Sequence, residues 1–195
     1  DADHPAEDGP DPRTEFYWDD SRSIISENKS PDLPFVYSLN PYRGCEHGCS
    51  YCYARPYHEY LGLSAGLDFE SKIFVKRDAA RLLREEFMRP SWSPSWISLS
   101  GVTDPYQPCE ARFKVTRSVL EVMAEFRHPC SVITKNALIT RDMDLLKQLA
   151  EHDCVGTILS ITTLDEDLRR RLEPRTATAR RRLEAVRMLA EAGVP

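Results

Sequence analysis

The chain contains no run of 18 apolar residues, which excludes a helix that spans a bilayer. Its first residues, from Asp1 on, lack the apolar core of an export signal, so a cytoplasmic setting is expected. Excess positive charge is also missing. The 26 Lys or Arg residues stand against 31 Asp or Glu, and a net charge of −5 argues against wholesale electrostatic binding of nucleic acid. Six Cys in 195 residues are too few for a disulfide scaffold, and no internal repeat is evident.

What is present is unevenly placed. Residues 1–34 hold ten Asp or Glu against three Lys or Arg, while residues 35–195 hold 23 basic and 21 acidic side chains. The stretch from Asp1 to Arg13 is rich in Asp, Pro and Ala, so residues 1–34 read as an acidic, partly disordered N-terminal extension. From residue 35 on, short apolar runs alternate with amphipathic stretches. Strands are expected at Phe35–Tyr37, Lys72–Lys76, Trp96–Leu99, Ser131–Thr134 and Val155–Ile161. Helices are expected at Ala54–Leu61, from Asp78 as cap to Met88, and at Val115–Phe126, Asp142–Glu151, Asp165–Leu172 and Thr178–Ala192. Such alternation implies an α/β fold with a parallel sheet under helices, either doubly wound or a (β/α) barrel. Gly193 reads as a helix C-cap and Val194-Pro195 as the lead-in to another strand, so the chain is expected to be a fragment.

The decisive stretch runs from Asn40 to Tyr53, directly after a predicted strand, where parallel α/β folds carry their sites. Cys45, Cys49 and Cys52 lie within eight residues, while Cys109, Cys130 and Cys154 are scattered. Three thiolates at this spacing converge on one soft metal centre, and Gly44 and Gly48 let the loop wrap it. Three ligands leave a coordination position open, and three Cys on a four-iron cluster leave one iron free. A zinc site completed by His47 or His58 is the alternative, although paired Cys and His spacing is missing. An electron carrier would need a fourth Cys from positions 109, 130 or 154.

Cys45-x3-Cys49-Ser50-Tyr51-Cys52 resembles the signature of the radical S-adenosylmethionine (SAM) superfamily. The run Pro41–Pro56, then Tyr60–Leu63, Lys72–Lys76 and Thr103–Glu110, is similar to an uncharacterised bacterial subfamily related to spore photoproduct lyase, a DNA repair enzyme. The resemblance implies a partial (β/α) barrel, here truncated after about the fourth β/α unit and occupying residues 35–195. It implies a [4Fe–4S] cluster on Cys45, Cys49 and Cys52, with SAM chelating the fourth iron. One electron, from an external donor of flavodoxin or ferredoxin type, would cleave SAM to a 5′-deoxyadenosyl radical that abstracts hydrogen from an unidentified substrate, with DNA among the candidates.

The same resemblance assigns further residues. Tyr51 would pack near the adenine. Ser100–Asp104 would meet the SAM amino group, with Gly101, Thr103 and Asp104 as contacts. Ser160 would reach a ribose hydroxyl and Arg182 the SAM carboxylate. Cys109 is the candidate hydrogen-atom donor, although the lyase carries its donor just before the Thr-Ser-Asp motif, where this chain has Ser100 and Gly101. Gln107 and Glu110 are candidates to face the substrate, and Lys135 to bind an anionic group. Lys76-Arg77 and Arg169–Arg171 are weaker candidates for phosphate. Cys130 and Cys154 read as core residues.

Overall fold

The computed structural model describes residues 13–29 and 35–195. Four parallel strands form the main sheet in sequence order: β3 (Tyr37–Leu39), β6 (Ile97–Leu99), β7 (Cys130–Thr134) and β8 (Val155–Leu159). Between and after them run α1 (Ala79–Phe87), α2 (Val115–Phe126), α3 (Met143–Ala150), α4 (Glu166–Leu172) and α5 (Ala179–Glu191). A doubly wound sheet reverses its strand order at a switch point, whereas a barrel adds each strand beside the last. The order β3-β6-β7-β8 therefore decides the open choice in favour of the barrel type.

The helices form where the apolar spacing places them. In α2, Val119, Leu120, Val122 and Met123 are all buried, as their period requires. Leu83 and Phe87 of α1 meet them across the α1–α2 contact, and Ile97, Leu99 and Val132 supply the sheet side of the core. Asp78 stands at the N-cap of α1, but its side chain makes no capping hydrogen bond. The segment expected as a helix after the Cys loop is a 3-10 helix, Arg55–Leu61, closed by Gly62 at φ +71°.

Two segments add strands beyond the main parallel set. The run at Lys72–Lys76 forms β5 (Lys72–Val75) outside the main sheet, between β1 (Glu15–Trp18) and β4 (Tyr42–Arg43). Ile73 and Val75 alternate inward there, which fits them to a second small sheet. The acidic extension is likewise not separate over residues 13–29. Glu15–Trp18 pairs with β5, and β2 (Ile25–Glu27) pairs antiparallel with β3, with Ile24 buried beside it. The remainder of that extension, residues 1–12 and 30–34, lies outside the described residues. At the other end, the Pro195 carbonyl accepts from the Thr157 amide at 2.7 Å, along the free edge of β8.

Among the described residues, no helix is long and apolar enough to cross a membrane.

Candidate active site at the cysteine loop

The Cys loop follows the first barrel strand, and β4 within it anchors the loop to β5 through the Tyr42 and Arg43 pairings. Gly44 (φ +79°) and Gly48 (φ +64°) occupy left-handed backbone, and a Cβ on either would collide with neighbours. At Gly48 it would lie 2.2 Å from Glu70 Oε2 and 2.4 Å from Arg175 Nη2. Cys45 and Cys49 are buried and Cys52 is half-buried, all three as free thiols.

The surroundings suit metal ligands better than a free nucleophile. Burial pushes the Cys45 thiol well up, and the nearby Asp104 carboxylate adds to it. Burial likewise pushes Cys49 up to about 12, against the pull of Lys135. Thiolates form in such a place when a cationic centre compensates them. The Asp104 and His47 backbone acts against that rise at Cys45 without cancelling it. His58, one alternative fourth ligand, has Nε2 on the Lys72 carbonyl at 3.0 Å and packs edge-on against Phe69. Among the described residues, no three His, Cys, Asp or Glu side chains gather closely enough to hold a single metal ion. A four-iron cluster seats each thiolate on a different iron and needs no such convergence.

The resemblance-based residues fall into two groups. On the rim, Tyr51 is half exposed, and its hydroxyl donates to Glu173 and lies 3.3 Å from Thr162 Oγ1. Lys135 Nζ sits 6.0 Å from the Tyr51 ring centre. The Tyr53 hydroxyl donates to the carbonyl of Gly101, which lies at φ +129°. Ser160 continues the β8 ladder onto the Thr134 carbonyl and is half-buried.

The second group lies beneath the rim. Arg182 is fully buried. Its guanidinium donates to the carbonyls of Ala177 (2.8 Å) and Ser160 (2.6 Å), to Glu173 Oε2 (2.7 Å) and to Thr176 Oγ1 (3.0 Å). It holds Glu173 and the Ser160 backbone in place rather than reaching a ligand. Asp104 accepts from the Tyr106 amide, the Thr134 hydroxyl and the Lys135 amide, and lies 3.3 Å from His47 Nδ1. Burial alone would raise its pKa, but the His47 charge and these hydrogen bonds outweigh it and hold the carboxylate low. Thr103 is buried, with its amide on Asn40 Oδ1 at 3.2 Å.

Cys109 is also buried, its amide on Glu46 Oε2, and burial followed by the Glu46 charge raises its thiol well above the ordinary range. Gln107 and Glu110 are both fully buried.

Sequence reasoning missed Glu173 as a hub and Arg175 as a strap. Glu173 gathers Tyr51, Thr162 and Arg182. Arg175 donates to the Glu46 carbonyl and to Glu70 Oε2. The Glu-Pro-Arg run at 173–175, polar residues breaking two helices, is the signal that marks them.

The Radical SAM superfamily model matches residues 39–195. The chain belongs to the radical SAM superfamily. An uncharacterised protein of Mycobacterium tuberculosis (strain H37Rv) is 39% identical over 170 residues, 86% of this chain and 50% of the relative. An uncharacterised protein of Methanocaldococcus jannaschii is 31% identical over 174 residues, 89% of this chain and 62% of the relative. Thus the radical SAM chain described here spans about half the length of its mycobacterial relatives. In structure it is similar to spore photoproduct lyase complexed with dinucleoside spore photoproduct, at TM-score 0.64 and 18% identity, covering 91% of this chain and 48% of that chain. A double mutant of that lyase with AdoMet and the same dinucleoside bound gives TM-score 0.64 at 17% identity, again over 91% and 48%. These likenesses establish the radical SAM fold.

Proposed function

We propose that the chain carries the cluster-binding part of a radical SAM enzyme, with Cys45, Cys49 and Cys52 holding a [4Fe–4S] cluster and SAM bound on the adjacent rim. The observation that carries the reading is the trio of free thiols on the loop that follows the first barrel strand, with His58 engaged on the Lys72 carbonyl instead. When bound, the cluster would supply the single electron that cleaves SAM. The chain's own residues would do the rest.

Lys135 stands beside Tyr51 and Cys49 and suits the SAM carboxylate. Tyr51 offers a ring face for the adenine, held in place by Glu173. Gly101 and Thr103 would present backbone to the SAM amino group, with Asp104 as the carboxylate that orders this rim. Ser160 would meet the ribose. The reading pairs residues 35–195, with the strands of 13–29, as one catalytic unit in a cytoplasmic setting. An external one-electron donor would serve it, and DNA remains one substrate class among those its structural neighbours suggest.

The test is anaerobic reconstitution with iron and sulfide, followed by electron paramagnetic resonance of the reduced protein with and without SAM. A [4Fe–4S]⁺ signal that changes on adding SAM supports the reading. Zinc in place of iron, or a cluster signal indifferent to SAM in both this chain and a chain of its relatives' length, overturns it.

A further inference from the structure

We propose that Gln107 is a positioning residue that fixes the backbone on both sides of Cys45 before any metal binds. The proposal rests on the cluster reading above and deepens it. The backbone polar groups from Gly44 O to Glu46 O, and the His47 carbonyl, have partners. The Cys45 amide donates to the Phe69 carbonyl at 2.9 Å, and the Cys45 carbonyl accepts from Gly48 at 3.4 Å. The Glu46 carbonyl accepts from Arg175 Nε, and the His47 carbonyl from the Arg175 amide at 3.3 Å. The two groups that flank Cys45, the Gly44 carbonyl and the Glu46 amide, both go to one side chain. Gln107 Nε2 donates to Gly44 O at 3.1 Å, and Gln107 Oε1 accepts from Glu46 N at 2.8 Å.

A carboxamide suits both groups at once, as an ionised side chain does not. A carboxylate lacks the donor, an ammonium lacks the acceptor, and Asn is one methylene short. Gln107 is itself fully buried and is held by its own turn, with its amide on the Asp104 carbonyl at 3.3 Å and its carbonyl accepting from Glu110 at 2.9 Å. The neighbours on the same segment grip adjacent positions. Asp104 holds His47, the Cys109 amide holds Glu46, and Glu110 accepts from the Tyr42 hydroxyl. Thr103–Glu110 is thus a mould for residues 42–47 rather than a loop that meets the substrate. A loop cast this way keeps its form in the metal-free chain, so its thiols need little reordering to bind.

The test uses Gln107→Ala, which removes both bonds, and Gln107→Glu read at about pH 9, where the ionised carboxylate keeps the acceptor for Glu46 and loses the donor for Gly44. Gln148→Ala, on the exposed face of α3, is the control. In the metal-free chain, the Glu46 amide should exchange its hydrogen roughly tenfold faster in Gln107→Ala, the size of one lost hydrogen bond, and near the wild-type rate in Gln107→Glu. After reconstitution, both variants should hold less than half the wild-type iron, and the remaining reduced cluster should show altered g values. Wild-type exchange at Glu46 in a folded Gln107→Ala, or wild-type iron with a wild-type spectrum in either variant, overturns the proposal. If alanine unfolds the chain, Gln107→Glu decides by its iron content and spectrum. A wild-type chain that takes up no cluster would defeat the proposed function instead, while amide exchange in the variants still decides the role of Gln107, with slow Glu46 exchange in Gln107→Ala, or fast exchange in a folded Gln107→Glu, counting against it.

Discussion

Replacing Arg182 by Ala separates a structural arginine from a ligand-binding one. Arg182 and Glu173 are both fully buried and 2.7 Å apart, and Arg182 makes three further hydrogen bonds. Removing one partner of a buried ion pair costs about 3–5 kcal/mol, because the other charge is left uncompensated. A chain of this size holds on the order of 5–15 kcal/mol in total, so the loss is a large share. The midpoint of thermal unfolding should fall by roughly 8–16 °C, and that in urea by about 2 M.

The pH dependence gives a second readout. In the wild type, burial would raise Glu173, but hydrogen bonds from Thr162, Tyr51 and Arg182 and the Arg182 charge win and hold it low. A carboxylate held low in the folded state adds stability above its unfolded pKa and loses it as pH falls through the folded one. Without Arg182 the burial effect dominates, the folded pKa rises, and that contribution changes sign. The penalty of Arg182→Ala should therefore be larger at about pH 8 than at about pH 5. Urea unfolding followed by circular dichroism measures both effects. A penalty below about 1 kcal/mol, or one flat across that range, would refute the reasoning. Unchanged stability with lost SAM affinity would return Arg182 to the role of carboxylate ligand.

Other outcomes follow from the same geometry. Cys45→Ala, Cys49→Ala and Cys52→Ala should each abolish cluster binding and SAM cleavage, whereas His47→Ala should keep the cluster. Iron analysis and the resonance spectrum check all four, and an intact cluster in any Cys variant defeats the ligand set. Lys135→Met should weaken SAM binding about tenfold or more, as loss of a charged hydrogen bond does, with the melting curve unchanged. Equilibrium dialysis with SAM reads it, and unaltered affinity removes Lys135 from the site. Gly48→Ala should destabilise by roughly 1–3 kcal/mol, from a left-handed backbone and a collision with the Glu70–Arg175 pair. A midpoint within error of wild type would show that the pair moves aside freely.

The sequence exposed the barrel strands and helices because each carries its own period: α2 buries the four residues its spacing selects. It exposed the thiol trio because three soft ligands in eight residues have few other uses. It hid β1, β2 and β4, which are two to four residues long and exist through partners far along the chain. Polar residues on the Thr103–Glu110 loop read as substrate-facing for a related reason. Local sequence shows that a side chain is polar, while only the tertiary partner decides whether it is solvated or buried and bonded. Gln107, Cys109 and Arg182 all went inward on that account.

The strap from the Cys loop to the end of α4 has a kinetic meaning. The Tyr51–Glu173 bond spans 122 residues, and the Ser50 amide reaches the Leu172 carbonyl over the same distance. Contacts this remote must wait until intervening units have closed their own loops. The cysteine segment leaves the ribosome before the fourth unit, yet its outer face is locked only when that unit docks. Before then the thiols sit in a half-open cradle, and the last-made helices act as the latch that shuts it.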